Sequence, residues 1–405
     1  MKKILLFAAA ALTMTVGCQK IQGLINPDKQ QPVDDATPVE ITFNTNVSAN
    51  LQTRGSGAVE SFDGNQKLFI YGLNVSAPGT KEIANQEAKA TVAASENGET
   101  SGALTWADAG FAQFYNGTTD VYEFYGYHVD DATVTTAFSQ ANYVSEIKID
   151  GTQDIMLAKA TPENDLPATG DWKDTYGAGV DSEALTQDQK DARAKVYSAW
   201  SARRGVTPTL KFEHMLSKLT FSVVNRGSDN LTLQGLDVNT VVDGTLTVVS
   251  KSAELNDGTA LTQGLVKGST LDYLTLDMED VTLTPKTIAD ATGGADGKPV
   301  DGYYTALKNG TDNTKLATMM VFPGTAKEYE VVLNLTQAGM TTPRYVTVRI
   351  NEELLEGTAY ELQITLYSLS NITINAALVE WAEGKSIGID TEDGSADESE
   401  TNPNA

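Results

Sequence analysis

The feature that most constrains the fold is a two-residue alternation of apolar and polar side chains along most of the chain. It begins at residues 40–47, where Ile41, Phe43 and Val47 fall on one face and polar side chains on the other. Because successive side chains of a strand point to opposite faces, this alternation predicts strands with one buried face. The pattern returns in runs rich in Val, Ile, Thr and Leu, at residues 231–233, 246–248, 331–335, 345–350, 362–366 and 372–376.

These runs are separated by Gly, Asn, Asp and Ser, as is typical of short antiparallel strands. The long amphipathic helices that α/β crossovers need are missing, so the pattern predicts an all-β protein built of β-sandwiches. One helix is predicted at residues 182–200, where it could link two sandwiches. We therefore expect an N-terminal sandwich at 38–205, a C-terminal sandwich at 206–385 and an acidic tail at 386–405.

The first 18 residues have the composition of an export signal. Two lysines precede an apolar run at 4–12 that is too short to span a bilayer, and Gly17 and Cys18 follow. A small residue directly before Cys resembles the lipobox of bacterial lipoproteins, in which Cys18 would carry the lipid, including palmitate. An ordinary signal peptide with an incidental Cys is the alternative. Residues 19–37 are polar, contain prolines and are predicted to be a tether.

The charge of the chain narrows the possible partners. Acidic side chains number 54 against 29 basic ones, which gives a net charge of −25. Nucleic acid is therefore excluded as a partner, because its phosphates require the opposite sign. Cys18 is the only cysteine, so no disulfide can form within the chain. Stability must come from the core or from assembly with neighbours.

Most of the familiar catalytic motifs are missing from the sequence. A His-Glu-x-x-His pair, a Walker loop and Cys-x-x-Cys pairs are all absent, and we predict no enzyme, cofactor or metal site. His128 lies in an aromatic run and is interpreted as a strand residue. His214 is interpreted as a partly buried histidine that bonds a backbone carbonyl. Carboxylate pairs for glycoside hydrolysis remain open, because such partners meet only in the fold.

The run at residues 210–221 resembles a known signature. Phe212, His214, Ser217 and Lys218 occur at the spacing found in the fimbrillin-like (FimA-like and Mfa-like) type V pilin family of Bacteroidia. Further segments similar to that family follow in the expected order, at residues 52–55, 70–72, 154–158, 321–324 and 357–381.

The resemblance implies two tandem antiparallel sandwiches of transthyretin-like, Greek-key type, made as a lipid-anchored precursor at the cell outer membrane. It implies that an arginine-specific protease cuts between Arg54 and Gly55 and removes the first strand with Ile41, Phe43 and Val47. A strand from another pilin subunit, of the same or a different kind, then fills the groove. The product would be an extracellular fimbrium that supports adhesion, with a host surface receptor as a further partner.

Two details of this scheme stay open at the level of sequence. Arg203 and Arg204, on the expected linker, are a competing cleavage site. The donor strand could combine Ile372 and Ile374 with Ile387 and Ile389, or the acidic tail could stay free. The position of the subunit as stalk, tip or anchor is likewise undetermined.

Two rival functions also remain. The first is a monomeric surface lipoprotein of the same fold that binds a glycan or a host protein. The second is an exported hydrolase that uses paired carboxylates, which would require two such groups in an open cleft.

Overall fold

The structure is a computed structural model. It describes residues 37–47, 66–92, 100–161, 165, 196–203, 206–253, 260–291, 302–369 and 371–379. The first nine strands are β1 Phe43–Val47, β2 Leu68–Asn74, β3 Ile83–Val92, β4 Thr100–Trp106, β5 Tyr122–His128, β6 Thr133–Val134, β7 Val144–Lys148, β8 Met156–Lys159 and β9 Thr209–His214.

Twelve more strands follow in the described part of the chain. They are β10 Ser217–Asn225, β11 Leu231–Val241, β12 Asp243–Thr247, β13 Gly264–Lys267, β14 Leu271–Thr275, β15 Val281–Leu283, β16 Thr305–Ala306, β17 Thr318–Val321, β18 Glu330–Gln337, β19 Arg344–Arg349, β20 Ala359–Ser368 and β21 Asn371–Val379. A short 3-10 helix spans Ile288–Ala291.

The first strands close into a barrel in the order β1-β4-β3-β2-β5-β8-β9. All its neighbours are antiparallel except β1 and β9, which run parallel. Alternate side chains of these strands fill the interior, among them Phe43, Phe124 and Phe212. Packing is tight enough that a Cβ on Gly126 would lie 2.7 Å from the Phe212 ring, so only glycine fits there.

The later strands form two facing sheets. One has the order β16-β10-β20-β21 with β17 also on β10, and the other has the order β14-β11-β18-β19 with β15 also on β11. Leucine, valine and isoleucine side chains from both sheets fill the space between them, for example Leu219, Val238, Leu333 and Ile364. This is a β-sandwich with an apolar core. Strands β10 and β20 pair in parallel, and the other pairs are antiparallel.

A further sheet, β13-β12-β7-β6, joins strands that lie on both sides of residue 205. Strand β9 also follows that residue, yet it closes the barrel with strands that precede it. Strands that pair in a sheet can be far apart in sequence. The composition of the segment before residue 205 therefore does not determine which strands share a sheet. The division of the chain into two domains near residue 205 stays a prediction.

The predicted fold class, all-β with sandwich-type sheets, is confirmed. Of the helix predicted at 182–200, the described residues contain α1, Ala199–Ala202, and residues 182–195 lie outside them. A capping box formed by Ser198 and Ser201 starts α1. Among the described residues, no helix has the length and apolar character required to cross a membrane.

Candidate functional site

Strand β1 is the element on which the predicted function depends, and it is paired along both edges. Its antiparallel register with β4 runs from Phe43 opposite Leu104 to Val47 opposite Thr100. Its parallel register with β9 runs from Asn44 opposite Thr209 to Val47 opposite Phe212. Strand β1 therefore completes the barrel wall, and the space it fills between β4 and β9 is called the β1 slot below.

The inward side chains of β1 belong to the barrel core, and so does the side chain of Ile41, two residues before the strand begins. Ile41 and Phe43 are buried, whereas Thr42 and Asn44 are exposed, so the predicted phase of the alternation is confirmed for this stretch. Phe43 packs edge-on against Phe124, with ring centroids 5.0 Å apart. The side chain of Val47 lies outside the described ones.

Thr45 is a further inward residue of the β1 slot that the sequence analysis did not single out. It is 2 % exposed, and its hydroxyl donates to the carbonyl of Leu210 on β9 at 3.2 Å. The signal for it was present in the sequence, because Thr45 shares the odd-numbered phase of Ile41 and Phe43. Among the described side chains, the inward positions in the β1 slot and just before it are therefore one polar and two apolar.

The segment just before β1 is also held to the body of the protein. The Ile41 N–H donates to Gln113 at 2.8 Å, and the Tyr115 N–H donates to Val39 at 3.0 Å. The Arg203 guanidinium donates to the backbone carbonyl of Thr37 at 2.7 Å. Arg203, one of the two competing cleavage residues, is thus a contact of the segment that precedes β1, and Arg204 lies outside the described residues.

The predicted partner of His214 was wrong. The ring Nδ1 lies 2.9 Å from Oδ2 of Asp154, and both side chains are buried, with relative exposures of 4 % and 0 %. A carboxylate, not a backbone carbonyl, therefore orients this histidine. Asp154 lies two residues before β8, in the segment 154–158 that resembles the pilin family. The two residues are 60 positions apart in sequence, so no local pattern could predict their contact.

His128 makes the kind of bond that was expected of His214. Its Nδ1 donates to the carbonyl of Lys67 at 2.9 Å. Its place at the end of β5 confirms the strand interpretation. Both histidines lie opposite Met156 in register, one on each side of β8.

Several signature segments meet where the barrel adjoins the sandwich. Gly357, whose φ is 63°, donates its N–H to Leu216 at 3.1 Å. The Ser217 hydroxyl donates to the Leu355 carbonyl at 2.8 Å. Backbone bonds of 3.0 and 2.9 Å also join Gly324 and Leu354 in both directions. These contacts give the signature residues structural roles at one junction.

Burial is the main cause of the pKa shifts of several ionisable groups in and near the barrel. Burial raises the pKa of the Tyr115, Tyr125 and Tyr127 phenols above its ordinary value. Burial also raises the pKa of Asp130, and the nearby His128 opposes that rise. Within the described part of the chain, no three His, Cys, Asp or Glu side chains are placed to hold a metal ion.

Other predicted site residues can be placed only in part. Ile372 and Ile374 lie in β21, are half-buried and pack on the sandwich core. Strand β21 pairs along its length with β20 and has no other strand neighbour among the described strands. The remaining predicted sites lie outside the described residues: Cys18, Arg54, Gly55, Ile387 and Ile389.

A comparison with known protein families shows which family the second half of the chain resembles. Residues 198–381 match a family model described as fimbrillin-like. This segment is fimbrillin-like. The fimbrillin-like segment includes α1, β9 and all strands of the sandwich. The resemblance inferred from the sequence motifs is thereby confirmed for residues 198–381.

Solved structures from several bacteria are similar to the chain. One is a Bacteroides uniformis protein provisionally described as a cell adhesion protein, with 14% identity, a TM-score of 0.43 and coverage of 87% of this chain and 100% of that one. Another is the tip fimbrial protein Mfa3 of Porphyromonas gingivalis with C-terminal truncation, with 10% identity, a TM-score of 0.32 and coverage of 85% and 100%. No curated protein matches the chain.

Proposed function

We propose that this chain is a non-enzymatic structural subunit of a cell-surface fimbria. It is exported as a lipoprotein with lipid on Cys18, cleaved after Arg54 and joined to neighbouring subunits by donor-strand exchange. The fimbrillin-like match over residues 198–381 supports the fimbrial role. The observation that carries the assembly mechanism is the position of β1, which fills a slot one strand wide between β4 and β9.

Loss of β1 would leave the barrel with two kinds of unsatisfied surface. Backbone groups of β4 and β9 that now bond β1 would have no partners, and a buried backbone group without a partner is costly. The places of Ile41 and Phe43 would become an apolar groove, at about 1.5–3 kcal/mol of lost burial for each. A second β-strand with alternating apolar side chains satisfies both needs at once.

Pairing on both edges also accounts for a precursor that does not polymerise. While β1 is covalently joined to the body, it rebinds its slot at high effective concentration and excludes a strand from another molecule. A cut after Arg54 removes that advantage, because β1 then belongs to a separate peptide. Cleavage is thus the step that makes the slot available.

The pairing of β21 supports a choice among the residues of the predicted donor strand. Ile372 and Ile374 already contribute to the sandwich, and their withdrawal would break the ladder between β21 and β20. Ile387 and Ile389 follow β21 in sequence at the alternate spacing of a strand. We therefore assign the donor role to the segment that contains Ile387 and Ile389.

Partners and location follow from this scheme. The precursor is held at the cell outer membrane by its lipid, and an arginine-specific protease acts on it there. The mature subunit lies in an extracellular fimbrium, where its partners are other pilin subunits and a host surface receptor.

An arginine-specific protease tests this proposal directly. Treated protein should lose the residues up to Arg54, begin at Gly55 by N-terminal sequencing and form ladders that resist SDS. The matched control is Arg54→Lys, which keeps the charge but is not a substrate for such a protease, and it should stay monomeric. Clean cleavage at Arg54 without oligomers on size-exclusion chromatography would instead favour the monomeric surface lipoprotein.

A further inference from the structure

A cleft of about 480 Å³ lies beside the barrel, away from the β1 slot. Its volume falls within the range of small-molecule sites, about 300–1,000 Å³. One wall is the turn that follows β2, including Glu82, and a second is the loop before β7, including Gln140. Lys251 and Leu261, which pair with each other as an isolated β-bridge, form the third wall.

Internal hydrogen bonds fix the conformation of two walls of the cleft. Ser139 and Asn142 exchange backbone hydrogen bonds of 3.0 and 3.1 Å, which closes a tight loop with Gln140 at its tip. The Tyr71 hydroxyl donates to the Ser139 carbonyl at 3.3 Å and anchors that loop. In the facing turn, Asn74 accepts hydrogen bonds from the N–H groups of residues 76 and 77. Such preorganisation lowers the entropy that binding must offset.

The cleft is lined by one positive side chain, one negative side chain and several uncharged polar groups. The Lys251 ammonium lies 4.2 Å from the centroid of the Tyr143 ring, and the Glu82 carboxylate supplies the opposite charge. Glu82 uses Oε1 to accept from the Gly79 N–H at 2.9 Å, and a second carboxylate oxygen remains as an acceptor. The Tyr143 hydroxyl and the Gln140 amide have no hydrogen-bond partner among the described residues.

These features select one class of ligand. An anion would meet the Glu82 carboxylate and a cation would meet Lys251, so neither simple ion is favoured. The backbone groups of the Ser139–Asn142 loop bond each other, so they do not offer an edge for a peptide strand. The cleft instead combines amides, a phenol and a carboxylate with an apolar surface that includes Leu73 and Val75. Such a set of donors and acceptors suits a ligand that carries closely spaced hydroxyl groups.

We propose that this cleft binds the end of a neutral glycan, one or two sugar units long. Gln140, Tyr143 and Glu82 hydrogen-bond its hydroxyls, and Leu73 and Leu261 contact its C–H surface. Recognition uses the Tyr143 hydroxyl rather than stacking on its ring, because the Lys251 ammonium lies over the ring. This inference is independent of strand exchange, since the cleft and the β1 slot are formed by different residues.

Saturation-transfer NMR on the intact, uncleaved chain tests the proposal with lactose, maltose and N,N′-diacetylchitobiose, followed by an array of neutral glycans. At least one probe should bind. Gln140→Ala and Tyr143→Phe should each weaken it by about two- to tenfold, the loss of one neutral hydrogen bond. Both changes are mild, because Gln140 is exposed and Phe keeps the Tyr143 ring.

Matched controls separate the cleft from general surface effects. Thr342→Ala alters another exposed turn, and Tyr273→Phe alters an exposed tyrosine on the sandwich, so both should bind like the parent chain. Binding that is equal in Gln140→Ala, Tyr143→Phe and the parent would overturn the assignment. A complete lack of binding to the glycan array would also overturn it, as would capture of short peptides through Gln140 instead.

Discussion

At the scale of single residues, the buried pair of Asp154 and His214 explains the histidine of the signature. A carboxylate with no exposure to solvent needs a partner, because an unpaired buried charge is strongly unfavourable. His214 supplies that partner across the strands β8 and β9. The histidine thus joins two strands of the barrel at its junction with the sandwich, and its role is structural.

This pairing predicts that Asp154→Ala lowers stability. We expect the free energy of unfolding to fall by about 1–3 kcal/mol, because the change leaves the buried Nδ1 of His214 without its hydrogen-bond partner. Urea denaturation followed by circular dichroism measures it. Asp272→Ala is the matched control, since Asp272 pairs with Lys148 at 3.2 Å on the surface, where solvent screens the charges. Equal urea midpoints for the two variants would contradict the structural role of the pair.

At the scale of secondary-structure elements, one lateral row of side chains crosses a whole sheet of the sandwich. Tyr273, Asn239, Glu330 and Arg349 occupy neighbouring positions on β14, β11, β18 and β19. The Arg349 Nε donates to Glu330 at 3.1 Å, and the Asn239 amide donates to the same carboxylate at 3.3 Å. Cross-strand pairs of this kind stabilise the register of a sheet.

The row predicts a defined pH dependence. The hydrogen bond from Arg349 lowers the pKa of Glu330 below its ordinary value of 4.5. The resulting stabilisation is therefore present above pH 4.5 and is lost as the pH falls through the lowered pKa of the folded state. Since solvent reaches the pair, we expect at most about 1 kcal/mol.

Urea midpoints measured between pH 7 and pH 3 check this expectation. The Glu330→Gln variant should lose less stability than the parent over the acid part of the range. Parallel pH curves for the two proteins would show that Glu330 is not the group responsible.

Local elements were predictable because strands are encoded by neighbouring residues. The alternation at Ile41 and Phe43 gave the correct buried face, and Thr45 follows from the same phase. Partners distant in sequence were not predictable, since no local pattern brings Asp154 to His214. For the same reason, the parallel pairing of β1 with β9 had no signal in the sequence.

At the scale of the whole molecule, the net charge of −25 opposes contact between copies of this chain. Each encounter between two subunits brings like charges together, and salt screens this repulsion over a Debye length of about 10 Å at 0.1 M. If strand exchange joins the subunits, assembly after cleavage should be faster at 150 mM than at 10 mM sodium chloride. The expected gain is severalfold.

Light scattering on protein that has already been cleaved measures this rate apart from proteolysis. Dextran or sucrose at matched osmolality serves as a control for effects that do not depend on charge. An assembly rate that is unchanged or lower at the higher salt concentration would show that repulsion between subunits is not the barrier.

The parallel pairing of β1 with β9, next to its antiparallel pairing with β4, gives the slot a direction. A replacement strand that keeps this hydrogen-bond pattern can enter in only one orientation. Every subunit added in this way would point the same way as the last. The two tips of such a filament would then be chemically different, one with an open slot and the other with an unused strand, and growth at each would follow its own rate.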